Sequence, residues 1–116
     1  MIKVNVVEVD KSIILFLAFD LMSYEVVGKC SLKIRKNNLI RYQDAFIEAS
    51  NRGKGVYKKL FIAREAYIKE HYDNYVIESY CKKSTLHLFT KSGFKIKSKL
   101  YLVERNNNFN NLKVVS

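Results

Sequence analysis

A basic turn with two glycines, Arg52 to Gly55, holds the residues of this chain best suited to binding chemistry. A strand-like run that ends at Ala49 precedes the turn. A helical pattern follows it, with a face expected toward the core that consists of Val56, Leu60, Ala63 and Tyr67. Glycines let the main chain approach a ligand, and the first turn of a helix leaves N–H groups without partners. The pattern predicts a site for a phosphate or pyrophosphate, and an ordinary strand-to-helix turn with a solvated basic edge is the alternative.

Two other nucleotide-binding motifs agree less well with the turn. A Walker A loop requires Lys and then Ser or Thr after its last glycine, whereas Val56 and Tyr57 follow Gly55. A dinucleotide-binding fingerprint requires a small residue three positions after Gly55, where this chain has Lys58.

The turn resembles motif A of the GCN5-related N-acetyltransferase (GNAT) family, Arg/Gln-x-x-Gly-x-Gly/Ala, with a Tyr at position 57 where the family prefers Gly or Ala. A second segment, Thr85 to Phe94, resembles the end of the family's motif B through Leu88, Gly93 and Phe94. The resemblance covers roughly Ser12 to Arg105. The residues that match motif A in order are Arg52, Gly53, Lys54, Gly55 and Val56.

The periodicity along the chain predicts strands and helices in the order β-β-β-β-α-β-α-β. This order indicates an α/β (α+β) protein with a mixed, mostly antiparallel, GNAT-like sheet of about six strands and two helices. We expect a single domain over residues 1–116, with 105–116 as a tail or edge strand. Gly28 is expected to form a bulge in the third strand, and Ser84 is expected to be the N-cap of the second helix. The predicted strands are Ile2–Val9, Ser12–Leu21, Val26–Ile34, Leu39–Ala49, Tyr75–Tyr80 and Phe94–Arg105, and the predicted helices are Gly55–Tyr72 and Thr85–Lys91.

The N-terminal part departs from the family pattern. The family has two helices between its first two strands, whereas here only Asp10 and Lys11 separate the first two predicted strands. We therefore expect the helix pair to be lacking and the acceptor pocket to be open. Such a pocket could take a bulky acceptor, could be completed by a second subunit in a homodimer, or could have no acceptor at all.

The composition sets limits on the function. The net charge of +10 favours phosphate-bearing partners, although no nucleic-acid-reading motif is present. No apolar run has transmembrane length, and Cys30 and Cys81 have no metal-ligand spacing, so neither a membrane nor a metal is expected. The default location is cytoplasmic, and a chain without proline and rich in asparagine suggests a low-GC bacterium or a virus-infected host cell.

The resemblance implies acetyl-CoA as cosubstrate and assigns further site residues. Main-chain groups of the fourth strand would bind the pantetheine arm, and Lys82 and Phe89 stand where the family often has Asn and Tyr. Glu48 is the candidate general base, with Asp44 less favoured, and Tyr80 is a candidate acid, with Cys81 and Tyr57 as substitutes. The residues expected to contact the cofactor are Phe46, Ile47, Ala49, Arg52, Gly53, Lys54, Gly55, Val56, Tyr57, Lys82 and Phe89.

Two functions remain open from the sequence. The first is an acetyl-CoA-dependent N-acetyltransferase in which an amine attacks the thioester directly, and the intact motif A favours it. The second is a catalytically impaired GNAT-like binding module that acts through protein or, less favoured, nucleic-acid interaction. Phe89 and Lys82 favour this second function, because neither supplies the group that the family uses there.

Overall fold

One mixed β-sheet with two α-helices forms the protein, and the computed structural model describes residues 1–106. The sheet order is β1-β2-β3-β4-β5, in which the first four strands are antiparallel neighbours and β5 lies parallel to β4. The predicted mixed, mostly antiparallel fold is therefore confirmed. The elements are β1 Ile2–Glu8, β2 Ile13–Asp20, β3 Val26–Arg35, β4 Leu39–Ile47, α1 Val56–His71, β5 Val76–Ser79 and α2 Leu86–Lys91.

The core lies between the sheet and α1. Ile14, Phe16 and Ala18 alternate along β2 and are fully buried, because residues two apart share one face of a strand. Phe16 contacts the ring of Tyr67 on α1 edge-to-face, at 5.6 Å between ring centroids. The alternating apolar residues of the strands and the buried residues of α1 thus pack together in one core.

Residues four apart make the buried stripe of α1. Val56, Leu60, Arg64 and Ile68 are all buried, whereas Ala63, which we expected to face the core, packs against it and is half-buried. The helix begins after Gly55 and ends at His71, within one residue of the predicted bounds.

Gly28 permits a close approach between β3 and α1. A Cβ at this position would lie 2.7 Å from Cδ1 of Ile47 and 3.0 Å from Cγ1 of Val56. The predicted irregularity near Gly28 is present, because the β2–β3 register shifts between Ala18 and Phe19, opposite Gly28 and Val26.

The β1–β2 connection is a tight turn, and no helix lies in it. Oδ1 of Asp10 accepts hydrogen bonds from N of Ser12 at 2.7 Å and from N of Ile13 at 2.9 Å. These bonds, together with one from the Ser12 hydroxyl, lower the pKa of Asp10. A short side chain that satisfies two main-chain donors explains why the chain reverses here without a longer insertion.

Three predicted details are wrong in the structure. The sixth strand over Phe94–Arg105 is not formed, since residues 94–106 have no regular structure and the described sheet has five strands. The fourth strand ends at Ile47, because Ala49–Asn51 forms a 3-10 turn, and Thr85, not Ser84, is the N-cap of α2. The predicted tail or edge strand falls mostly on residues 107–116, outside the described residues.

Candidate functional site

The parallel strands β4 and β5 separate halfway along β4 and leave a gap. Their pairing runs from Leu39 opposite Val76 to Tyr42 opposite Ser79, while β4 continues to Ile47. A register shift in the β3–β4 pairing places an extra β4 residue in the same region. We call this opening the β4–β5 gap. It holds a cavity of about 420 Å³, lined among others by Gln43, Ala45, Tyr57, Arg64, Ser79 and Tyr80.

The glycine cradle, Gly53 to Tyr57, lies at the N-terminus of α1. Gly53 and Gly55 have φ angles of 76° and 79°, a left-handed conformation that favours glycine. No heavy atom of another part of the protein lies within 4 Å of a Cβ built at either glycine, so the cradle is open. No acidic residue occupies the first turn of α1. Main-chain N–H groups and a helix dipole can therefore act on an anion here without competition from a carboxylate.

Basic side chains surround the cradle, but one of them points elsewhere. Lys54, Lys58 and Lys59 are exposed. Arg52, expected to contact the cofactor, turns back, and its Nε donates to the main-chain oxygen of Ile47 at 3.1 Å. This bond ties the turn to the end of β4 and occupies a carbonyl that we had expected to contact the pantetheine arm.

Tyr57 does not close the cradle. Its ring lies 6.4 Å from that of Phe61, between centroids, and lines the β4–β5 gap. Burial raises the pKa of Tyr57, and the charge of Arg64 opposes that shift. The side chain therefore carries its proton at neutral pH and lies in the cavity where an acid would be needed.

The candidate base Glu48 lies just beyond β4. It is exposed, and its N–H donates to the main-chain oxygen of Val27 at 2.9 Å. Glu48 lines a second cavity of about 640 Å³ with Phe46 and Lys29, and Ala45 borders both cavities. Glu48 therefore lines one cavity, whereas Tyr57 and Tyr80 line the other, and Ala45 is common to both. Of Asp44 we describe only the main chain, within β4.

The candidate acid Tyr80 follows β5 and borders the β4–β5 gap. Its side chain is 64% exposed, and Cζ of Arg41 lies 5.5 Å from its ring centroid. Arg41 in turn forms an ion pair with Glu78. This chain of contacts holds an exposed tyrosine against the rim of the gap.

Phe89, Lys82 and Ala49 were also predicted as site residues, and they are not among the residues that line the gap. Phe89 is 3% exposed, and its ring packs edge-to-face against Phe61 and Phe94 at 5.0 and 5.1 Å between centroids. Lys82 is exposed and precedes the short 3-10 turn that leads to α2, and Ala49 is exposed in the turn after β4. The Phe89 ring is part of the core under the gap.

Sequence reasoning missed Arg64. It is 2% exposed and lines the β4–β5 gap, although its residue type suggests a surface position. A signal was present, because Arg64 continues the four-residue spacing of Val56 and Leu60, where only apolar residues are expected.

Two other kinds of site are not supported in the described part of the chain. No cluster of three or more His, Cys, Asp or Glu side chains there could hold a metal ion. Among residues 1–106, neither helix combines the length and the apolar character that crossing a bilayer requires.

Comparison with known proteins identifies the fold. No sequence profile of a known protein family matches the chain, and no curated protein matches it. Solved structures do match. The "IAA acetyltransferase" of Bacillus cereus gives a TM-score of 0.68 at 18% identity over 84% of this chain and 79% of that one.

Two further structures give the same fold. A GNAT-family acetyltransferase of Staphylococcus aureus gives a TM-score of 0.58 at 23% identity, over 73% of this chain and 55% of that one. AAC(6')-Iy, solved with a bisubstrate analogue of CoA, gives 0.60 at 15% identity, over 84% and 71%. The chain therefore has the GNAT fold, as the two motifs predicted.

Proposed function

We propose that this protein is an acetyl-CoA-dependent N-acetyltransferase that transfers acetyl directly to an amine. One observation carries the proposal: the β4–β5 gap opens beside the glycine cradle, whose N–H groups meet no acidic side chain in the first turn of α1. Structural neighbours with the same fold are acetyltransferases, and one of them was solved with a CoA analogue, which supports the choice of cofactor.

The glycine cradle would hold the diphosphate of the coenzyme. Its left-handed glycines bring main-chain N–H groups to the surface, and the N-terminus of α1 adds positive potential. Lys54, Lys58 and Lys59 provide further charge at the rim. Main-chain groups would make this contact, so it requires no particular side chain. The open space around both glycines leaves room for the diphosphate.

The β4–β5 gap would hold the pantetheine arm and the reacting groups. Bound acetyl-CoA supplies the acetyl group as a thioester, which is already activated toward an amine. Main-chain groups of β4 beyond Tyr42 have no β5 partner and can bind the arm. Orientation of two reactants in one gap is itself a large part of the catalysis we propose.

Proton transfer would involve side chains from two neighbouring cavities that share Ala45. Glu48 is the proposed base for the amine, because it is exposed on the side of Ala45 from which an acceptor can approach. Tyr57 is a stronger candidate acid than Tyr80, because it lies half-buried at the cavity and keeps its proton at neutral pH. Phe89, which stands at the family's tyrosine position, has no proton to donate.

Release of free thiol from acetyl-CoA tests the function. We expect the purified protein to release thiol when a panel of primary amines is added, including aminoglycosides, polyamines, amino acids and lysine peptides. The control is the same reaction without amine. If acetyl-CoA binds but no amine supports thiol release, the protein is a coenzyme-binding module and the transferase proposal is wrong.

A further inference from the structure

A positive charge is buried at the floor of the β4–β5 gap. The guanidinium of Arg64 lies over the ring of Tyr42, with Cζ 3.7 Å from the ring centroid, and its Nη1 donates to the main-chain oxygen of Ser31 at 3.1 Å. Its Nε has no hydrogen-bond partner. Among the described side chains, no carboxylate forms an ion pair with Arg64. Within the described part of the site, this buried cation therefore has no anion to balance it.

Packing alone does not account for an arginine here. A guanidinium is not deprotonated in proteins, so Arg64 cannot relieve its burial by becoming neutral. The Tyr42 ring, the Ser31 carbonyl and the nearby Tyr57 hydroxyl are all neutral groups, so they compensate only part of the charge. Since apolar residues of similar volume often replace buried ionic groups at no loss of stability, a functional role explains the charge better than a structural one.

We infer that Arg64 stabilises the negative charge that collects on a sulfur leaving group in the β4–β5 gap, an inference that rests on the proposed transferase function. Acetyl transfer forms a bond from the amine nitrogen to the carbonyl carbon and breaks the bond from that carbon to sulfur. The electron pair of the broken bond stays on sulfur, and the amine proton passes to a base. Arg64 offers a fixed cation to the resulting thiolate, which then takes a proton from Tyr57, the proposed acid, and solvent returns a proton to Tyr57.

The other charged or titratable groups around the gap do not offer the same charge. Arg41 is paired with Glu78, and Glu65 accepts a hydrogen bond from the Tyr42 hydroxyl at 2.7 Å. Tyr57 and Tyr80 also border the cavity, and a tyrosine side chain carries no positive charge. On β3, burial raises the pKa of Cys30, so this thiol is neutral. Among the described groups at this cavity, Arg64 is the cation without a carboxylate partner.

Binding of coenzyme A and of S-methyl-coenzyme A, measured from about pH 6 to about pH 9, tests the inference, because only the first ligand has an ionisable thiol. In the wild type, we expect the affinity for coenzyme A relative to the thioether to rise about tenfold across this range, which corresponds to a thiol pKa lowered by about one unit in the complex. In Arg64→Met the ratio should not change with pH. The matched control, Lys69→Met, removes an exposed charge from the same helix and should behave as the wild type.

The outcomes separate this inference from the proposed function. If both ligands bind and their affinity ratio is independent of pH in the wild type, the inference is wrong and the cofactor proposal stands. If neither ligand binds, both are wrong. Should Arg64→Met fail to fold, Arg64→Lys keeps a cation and should retain part of the pH dependence. Thiolate absorbance in the ultraviolet, which should rise when coenzyme A meets the wild-type protein, gives an independent reading.

Discussion

Single glycines determine whether the proposed cofactor site exists. Gly55 is both the N-cap of α1 and a left-handed residue, so it allows the main chain to turn while its N–H groups stay accessible. We expect Gly55→Asp to weaken acetyl-CoA binding by about 100-fold or more, because a carboxylate beside the diphosphate costs several kcal/mol through repulsion. Calorimetric titration measures the change.

Gly93→Asp is the matched control for Gly55→Asp. Gly93 has a φ of 94° and open space around it, so aspartate meets similar backbone strain there, after α2. The control should bind acetyl-CoA as the wild type does. Equal affinity in the two variants would mean that the cradle does not bind the diphosphate.

The buried hydroxyl of Tyr42 is expected to make the free energy of unfolding depend on pH in the alkaline range. Burial, and then the hydrogen bond to Glu65, raise the pKa of Tyr42, so the folded state retains a phenolic proton that the unfolded chain loses above about pH 10. The stabilisation is complete below that pH and falls as the pH rises further. We expect Tyr42→Phe to cost about 1 kcal/mol at neutral pH through the lost hydrogen bond, and to show a smaller loss of stability at alkaline pH.

Urea unfolding at neutral and alkaline pH measures this difference, with the exposed Tyr101→Phe as control. The control should follow the wild type at both pH values. If Tyr42→Phe also follows the wild type in parallel, the buried phenol does not contribute to the alkaline transition.

At the scale of elements, the approach of β3 to α1 sets the position of the cradle. Gly28 lies under the first turns of α1, and a Cβ there would crowd Ile47, Val56 and Leu60. We expect Gly28→Ala to lower the free energy of unfolding by about 1–3 kcal/mol, since overpacking forces side chains and backbone to move. The exposed neighbour Lys29→Ala should change it by less than about 0.5 kcal/mol. Denaturant unfolding measures both, and a neutral Gly28→Ala would show that α1 can move away.

Most elements could be predicted because their signals are local. The alternation of β2 and the spacing of α1 identify their buried faces, and Gly93 marks the end of α2 through its left-handed conformation. The segment after Phe94 also alternates, yet it forms no strand, because a strand requires a neighbour with which to pair as well as a pattern.

The site was less accessible to sequence reasoning. The glycine cradle depends on φ angles that glycine permits, so its residues were identifiable. The β4–β5 gap depends on where two strands stop pairing, and the burial of Arg64 depends on what covers it. The spacing of residues along the sequence gives no information on either feature. This explains why Arg64 was missed and why Arg52 was expected to contact the cofactor and not the Ile47 carbonyl.

For the whole molecule, the net charge and the fold both favour binding of an anionic ligand. A net charge of +10 attracts anionic ligands over long range, and the open glycine cradle at the N-terminus of α1 is the place where we propose such a ligand binds. The likeness to solved acetyltransferases lies below 25% identity, with 18% for the Bacillus cereus structure, so it establishes the fold while the activity rests on the site.

Thermal melting with acetyl-CoA tests most directly whether the glycine cradle and the β4–β5 gap bind this coenzyme. At about 100 times its Kd, a ligand of the native state alone adds about 2.7 kcal/mol, which for a chain of this length raises Tm by roughly 10 °C. We predict a shift of that size for the wild type and at most about 2 °C for Gly55→Asp at the same concentration, since a 100-fold loss of affinity leaves about 0.4 kcal/mol. An unchanged wild-type Tm at millimolar acetyl-CoA would contradict the proposal, because the β4–β5 gap and the glycine cradle would then not bind this coenzyme.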